Sequence, residues 1–169
     1  LPRGRRVAIV TNAGGPGILA VDACDAAGLE GSTFWEATRE RLGRFLPPTA
    51  SLGNPVDMIA SAGPDEYRQA IEVTLAATEV DALLVIYTAV DADRSLAIMD
   101  AIREGICAGR RTGGPNKPIL ACVMADGGHA RPLTAGGERI PAYAFPENAI
   151  RALGKVAAHA AWRQQPAGL

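Results

Sequence analysis

The opening residues constrain this chain more than any other stretch. Arg5-Arg6-Val7-Ala8-Ile9-Val10-Thr11-Asn12-Ala13-Gly14-Gly15-Pro16-Gly17 places a short β-branched run before a glycine-rich turn, and an apolar helical pattern follows. A strand, a tight turn and a helix in that order set the helix's unpaired N–H groups at the carboxyl end of the strand. Those groups carry partial positive charge, so the turn is a device for holding an anion. It is not a P-loop: no Gly-Lys-Ser/Thr follows, so it has neither a lysine for phosphates nor a hydroxyl for Mg²⁺. The Gly-x-Gly-x-x-Gly spacing of a dinucleotide fold is missing too.

The same grammar recurs downstream. Val80–Tyr87 and Pro118–Met124 are near-continuous apolar runs, as expected of strands covered on both faces. Amphipathic patterns flank them. Asp65–Ala77 gathers Tyr67, Ala70, Ile71, Val73, Thr74 and Leu75, and Asp93–Ala108 gathers Leu96, Ile98, Met99, Ile102 and Ile106. Pro146–Trp162 opens on Pro-Glu and aligns Ile150, Leu153, Val156 and Ala157. Thr38–Leu46 reads as a short helix stopped by Pro47-Pro48, and Asn54–Ile59 as an extended segment. Arg110–Asn116 reads as a surface loop. Alternating strands and helices predict an α/β fold: a flavodoxin-like three-layer sandwich of about five parallel strands in the order 2-1-3-4-5. The glycine turn then sits at the topological switch point, where such sheets take ligands.

The 169 residues suit one domain, here residues 1–163, with Gln164–Leu169 as the start of a linker. The start Leu1-Pro2-Arg3-Gly4 has neither signal-peptide character nor an initiator Met and reads as a cut within a longer chain. A net charge of −1 gives no footprint for nucleic acid or an anionic membrane. No apolar run approaches the ~20 residues of a membrane span. Cys24, Cys107 and Cys122 stand far apart among apolar neighbours, which suits free, buried thiols in a reducing cytoplasm.

The candidate anion site is Asn12, Ala13, Gly14, Gly15, Pro16 and Gly17. Gly15 and Gly17 let oxygens approach the backbone, Pro16 gives up a donor but suits the first helical turn, and Thr11 braces the turn. Asn54 and Asp57 in Asn54-Pro55-Val56-Asp57 are secondary candidates for the same crevice. Asp22 and Asp25 read as a solvated helix face, and Asp91 and Asp93 as helix-entry residues, with Asp93 a candidate N-cap. His129 reads as a loop histidine and His159 as a surface or interface residue of the last helix. No spacing suggests a metal site or a nucleophile–base pair, so no catalytic residue is assigned.

Thr-Asn-Ala-Gly-Gly-Pro-Gly at 11–17 with Asp22 and Gly28-Leu29 resembles the second succinyl-CoA-ligase-like flavodoxin domain of NDP-forming acyl-CoA synthetases. Asn54-Pro55-Val56-Asp57, Lys117-Pro118-Ile119-Leu120, Ile140-Pro141-Ala142-Tyr143 and the Pro146-Glu147-Asn148-Ala149 helix follow in that family's order. The resemblance implies an acid–thiol ligase working through an acyl phosphate and a phosphohistidine. The whole enzyme would use CoA, ATP/ADP and Mg²⁺, while the domain itself would bind only phosphate or a similar anion. Its partners would be a sister flavodoxin-like domain, a CoA-binding domain and an ATP-grasp module, and an isolated domain is open to homo-oligomerisation. The phosphorylated histidine belongs to a Ser-His-Thr-Gly motif absent here, so this stretch cannot run the reaction alone. The same resemblance admits a different role, a regulatory scaffold within a GNAT-type protein lysine acetyltransferase. A stand-alone FMN binder is weaker: the turn lacks hydroxyls and aromatics are only 5% of the chain.

Overall fold

The computed structural model describes residues 1–89, 92–113, 117–124 and 132–165, at 92 and 93 for the backbone alone. Asp91, His129, the side chain of Asp93 and residues 166–169 of the expected linker lie outside the described residues. The elements run β1 (Arg6–Thr11), α1 (Gly14–Ala26), β2 (Glu30–Gly31), α2 (Glu36–Gly43), β3 (Val56–Asp57), α3 (Pro64–Ala76) and β4 (Ala82–Thr88). They continue with α4 (Ala92–Thr112), β5 (Ile119–Met124), β6 (Leu133–Ala135), β7 (Glu138–Ile140), β8 (Ala142–Tyr143) and α5 (Pro146–Arg163).

The main sheet is parallel, ordered β2-β1-β4-β5-β8, with β3 also on β1. Counted by sheet position this is the 2-1-3-4-5 order expected of a flavodoxin-like sandwich. The refinement lies at the first position, which two short strands share. Strand β2 pairs with Arg6 and Val7, and β3 with Val10 and Thr11.

Strand alternation sends residues to two cores. Ala8, Val10, Leu83, Val85 and Tyr87 pack with Tyr67 and Ile71 of α3 and Ile102 and Ile106 of α4. Val7, Ile9, Leu84 and Ile86 pack with Ala20 and Cys24 of α1 and Ile150 and Leu153 of α5. Helices α3 and α4 approach closely: a Cβ on Gly105 would lie 2.7 Å from the Arg68 carbonyl oxygen.

Three expectations need correction. Two residues of the expected apolar stripes face out: Leu96 is 79% exposed and Val156 40%. In α1 the inward row is Gly17, Ala20 and Cys24, which turns Ile18 and Leu19 outward. Second, α4 continues through Arg110, Arg111 and Thr112, where a loop was expected. Arg110 holds that last turn by donating to both Glu138 carboxylate oxygens (2.8 and 2.6 Å) and to the Lys117 carbonyl (2.7 Å). Third, β6 and β7 form an unforeseen antiparallel hairpin. Its turn needs positive φ at both Gly136 (56°) and Gly137 (83°), which glycine supplies without strain.

The amino end of the sheet is tied by charge. The Arg6 guanidinium and amide donate to Asp81 at 2.8–3.0 Å, and that hydrogen bonding holds the Asp81 carboxyl below its ordinary range. Burial raises Glu79, but bonds from the Thr38 hydroxyl (2.6 Å) and the Trp35 N–H (3.1 Å) leave it lowered on balance. A carboxylate with a depressed folded value contributes stability that is complete above its unfolded pKa of about 4 and is lost as pH falls through the folded value. Asp81→Asn is therefore expected to be less stable than the native chain at pH 7, with the gap closing below about pH 4 in urea titrations. Gly105→Ala is expected to destabilise by about 1–3 kcal/mol despite better helix propensity, because the methyl meets backbone. Gly15→Ala, with nothing within 4 Å of its added carbon, is expected to be neutral or stabilising in the same assay.

Candidate functional site

The glycine turn leaves β1 at the carboxyl edge of the sheet and opens α1 without a side-chain cap. Ala13 is the N-cap residue, in extended backbone, and no acidic residue lies in the first turn. Thr11 braces the bend: its hydroxyl accepts the Ala13 N–H (3.0 Å) and donates to the Ala13 carbonyl (2.9 Å). Asn12 is buried, and its side-chain amide copies a strand residue. Its Oδ1 accepts the Thr88 N–H and its Nδ2 donates to the Thr88 carbonyl, each at 2.9 Å. Beneath the turn, the Tyr67 hydroxyl donates to the Ile86 carbonyl (2.9 Å). Burial pushes that phenol well above its ordinary range, with the Asn12 backbone N–H opposing.

These bonds decide which of the six candidate residues can meet a ligand. The Ala13 N–H goes to Thr11, the Gly17 N–H to the Ala13 carbonyl (3.3 Å), and Pro16 has none. The Asn12 amide is spent on Thr88. Gly14 and Gly15 remain: both are exposed, and both stand in the first helical turn, where no preceding carbonyl is in register to accept their N–H groups.

The Asn54-Pro55-Val56-Asp57 segment is brought against this turn. A Cβ on Gly17 would meet Thr11 Cγ2 at 3.2 Å and Pro55 Cγ at 3.3 Å, so the helix sits directly on Pro55. A Cβ on Gly14 would lie 3.0 Å from Asp57 Oδ2. The other Asp57 oxygen accepts the Ile59 N–H (3.0 Å), which holds Ile59 at a φ of 63°, a costly conformation for a β-branched residue. The Asn54–Pro55 peptide is cis. Asn54 does not face the turn. Its Oδ1 accepts the Ile9 N–H and its Nδ2 donates to the Val7 carbonyl, both at 2.8 Å, filling the gap between β2 and β3.

Other sequence candidates stand apart. Asp22 and Asp25 lie on α1, and His159 is exposed on α5, stacked on Trp162 at 5.7 Å. Burial raises the thiols of Cys24 to about 11 and Cys122 to about 12, so neither is a poised nucleophile. Among the described residues, no three His, Cys, Asp or Glu side chains converge as metal ligands. Nor is any helix long and apolar enough to cross a membrane. Sequence reasoning missed Thr88 and Tyr67 as supports of the turn; only the sheet register reveals them. Ile18 and Leu19 at the start of α1, and Phe145 at the start of α5, leave apolar surface exposed.

The Asn54 bond makes a clean prediction. Asn54→Leu orphans the Ile9 N–H in the sheet and is expected to cost about 1–3 kcal/mol. Hydrogen exchange checks the cause: the Ile9 amide should lose its protection before its neighbours do.

Residues 7–165 match the Ligase-CoA domain family. The alpha subunit of acetate–CoA ligase [ADP-forming] II from Pyrococcus furiosus is 42% identical over 125 residues, covering 74% of this chain and 27% of the relative. The alpha subunit of acetate–CoA ligase [ADP-forming] I from the same organism is 34% identical over 165 residues, covering 96% and 34% respectively. Among solved structures, the dinucleotide-forming acetyl-coenzyme A synthetase 1 of Ca. Korarchaeum cryptofilum in complex with phosphate and ADP superposes with a TM-score of 0.77. It shares 30% identity over 96% of this chain and 34% of its own. The chain thus spans about a third of these relatives' length.

Proposed function

Because this chain belongs to the Ligase-CoA domain family, we propose that it serves as one domain of an ADP-forming acyl-CoA synthetase and cradles a phosphoryl group at the α1 N-terminus. The group would arrive on a histidine of a sister domain, passing between an acyl phosphate and ADP. The Gly14 and Gly15 N–H groups are the donors, and the start of α1 adds about 0.3–1 kcal/mol for an exposed anion. Under this reading CoA, nucleotide and Mg²⁺ would be held by the companion domains. The exposed Ile18, Leu19 and Phe145 suit docking of the sister domain beside the turn. Unpaired thiols suit a reducing cytoplasm.

The observation that carries this reading is the uncapped, exposed helix start with two donors left over after every neighbouring N–H is used. The family match supports it from an independent direction. Asn12 and Asn54 are supports of the pocket under this reading, and Asp57 is a charged neighbour on its flank.

Gly15→Asp is the most direct probe, since the added atoms have open space and land beside the donors. In the complete ligase, incubated with Mg²⁺ and γ-labelled ATP, the native enzyme is expected to form acid-labile, base-stable protein phosphate. The variant should lose that label while its melting temperature holds or rises, because a carboxylate in the first turn favours the helix. Native labelling in Gly15→Asp, or no label in an active native enzyme, would sink the phosphoryl-cradle reading.

A further inference from the structure

Beside the glycine turn, one side chain works against an anion. Asp57 ends β3 in register with Thr11, and its Oδ1 is spent on the Ile59 N–H (3.0 Å). Its Oδ2 faces α1: a Cβ on Gly14 would lie 3.0 Å from it. Among the described residues no hydrogen bond joins that oxygen to Gly14 or Gly15, so the carboxylate flanks the two donors without using them. Its aim is held firmly enough to keep Ile59 at a φ of 63°.

Two electrostatic effects of opposite sign follow. A carboxylate near a helix start favours the helix, and α1 has no acid of its own in its first turn. The same charge repels a phosphoryl group held by the Gly14 and Gly15 N–H groups. No ion pair among the described residues includes Asp57, so no cation offsets that repulsion. Asp57 is half-buried, and water screens it less than it would a fully exposed group. A neutral side chain would serve the Ile59 bond equally well, since an asparagine oxygen accepts as an aspartate oxygen does. The charge, not the shape, sets this residue apart.

We propose that Asp57 is the release element of the phosphoryl cradle: its charge weakens retention of a phosphate dianion at the α1 N-terminus, so that the group is passed on. This rests on the phosphoryl reading above and adds the residue that sets how long the group is kept. Gly14 and Gly15 supply attraction without charge, and Asp57 limits it.

The probe is inorganic phosphate, titrated into this chain at low salt and followed by the ¹⁵N shifts of Gly14 and Gly15. Asp57→Asn is expected to bind it about fivefold more tightly than the native chain, and Asp57→Glu, which keeps the charge, no more tightly. Added salt should narrow the gap, because it screens charge and leaves shape alone. A residue that only braced the turn would do the reverse, its loss loosening the site and weakening binding. In the complete ligase, ADP should discharge the labelled phosphoryl group from Asp57→Asn about fivefold more slowly. Shifts at Gly14 and Gly15 with equal or weaker affinity in Asp57→Asn, or discharge as fast as in the native enzyme, would overturn the proposal and leave the cradle standing. No shift at either amide in either protein would overturn the cradle, and the proposal with it.

Discussion

One side-chain amide lets the sheet be built from unequal pieces. Strands β2 and β3 divide a single position beside β1, and the Ile9 N–H falls in the gap between them. A peptide N–H buried without a partner costs about 1–3 kcal/mol, enough to make the division unprofitable. Asn54 closes the gap by presenting its own amide where a peptide group would stand. Once Asn54 is fixed there, Pro55 is delivered beneath Gly17 and Asp57 beside Gly14. The geometry of the turn is thus inherited from a hydrogen bond made two residues deeper in the sheet.

Asn12 repeats the device on the other flank, carrying the β1–β4 pairing past the last residue of β1. Between them, two neutral amides replace backbone on both sides of one strand. Among the described residues, the carboxylate drawn in beside the turn is that of Asp57. What faces outward is what these internal demands do not consume, the N–H groups of Gly14 and Gly15. The site is in this sense a remainder of the sheet's hydrogen bonding.

Much of this was legible from residue order. The apolar runs at β1, β4 and β5 and the stripes of α3 and α5 are long and periodic, so the layers and strand order followed from them. Asn54–Asp57 stood only as secondary candidates for the crevice of the glycine turn. Less visible was the division of labour inside that segment, because Asn54 and Asp57 are alike in sequence and opposite in use: one faces the sheet, the other the helix. Two-residue strands such as β2, β3 and β8 carry no period to read. The last turn of α4 escaped because its support, Glu138, lies 28 residues away. The Gly136-Gly137 pair, by contrast, was a usable hairpin signal that the short flanking strands obscured.

The residue after Asn54 bears on how the molecule ages. Asparagine most readily turns to aspartate when the next peptide nitrogen attacks the side-chain amide, and that attack needs a nitrogen bearing a hydrogen. Asn54 is followed by Pro55, whose nitrogen has none. Were the conversion to occur, a carboxylate would face the Val7 carbonyl, acceptor against acceptor, in the middle of the sheet. The proline that seats the helix therefore also shields, by plain chemistry, an amide whose spontaneous loss would unpick the sheet from within.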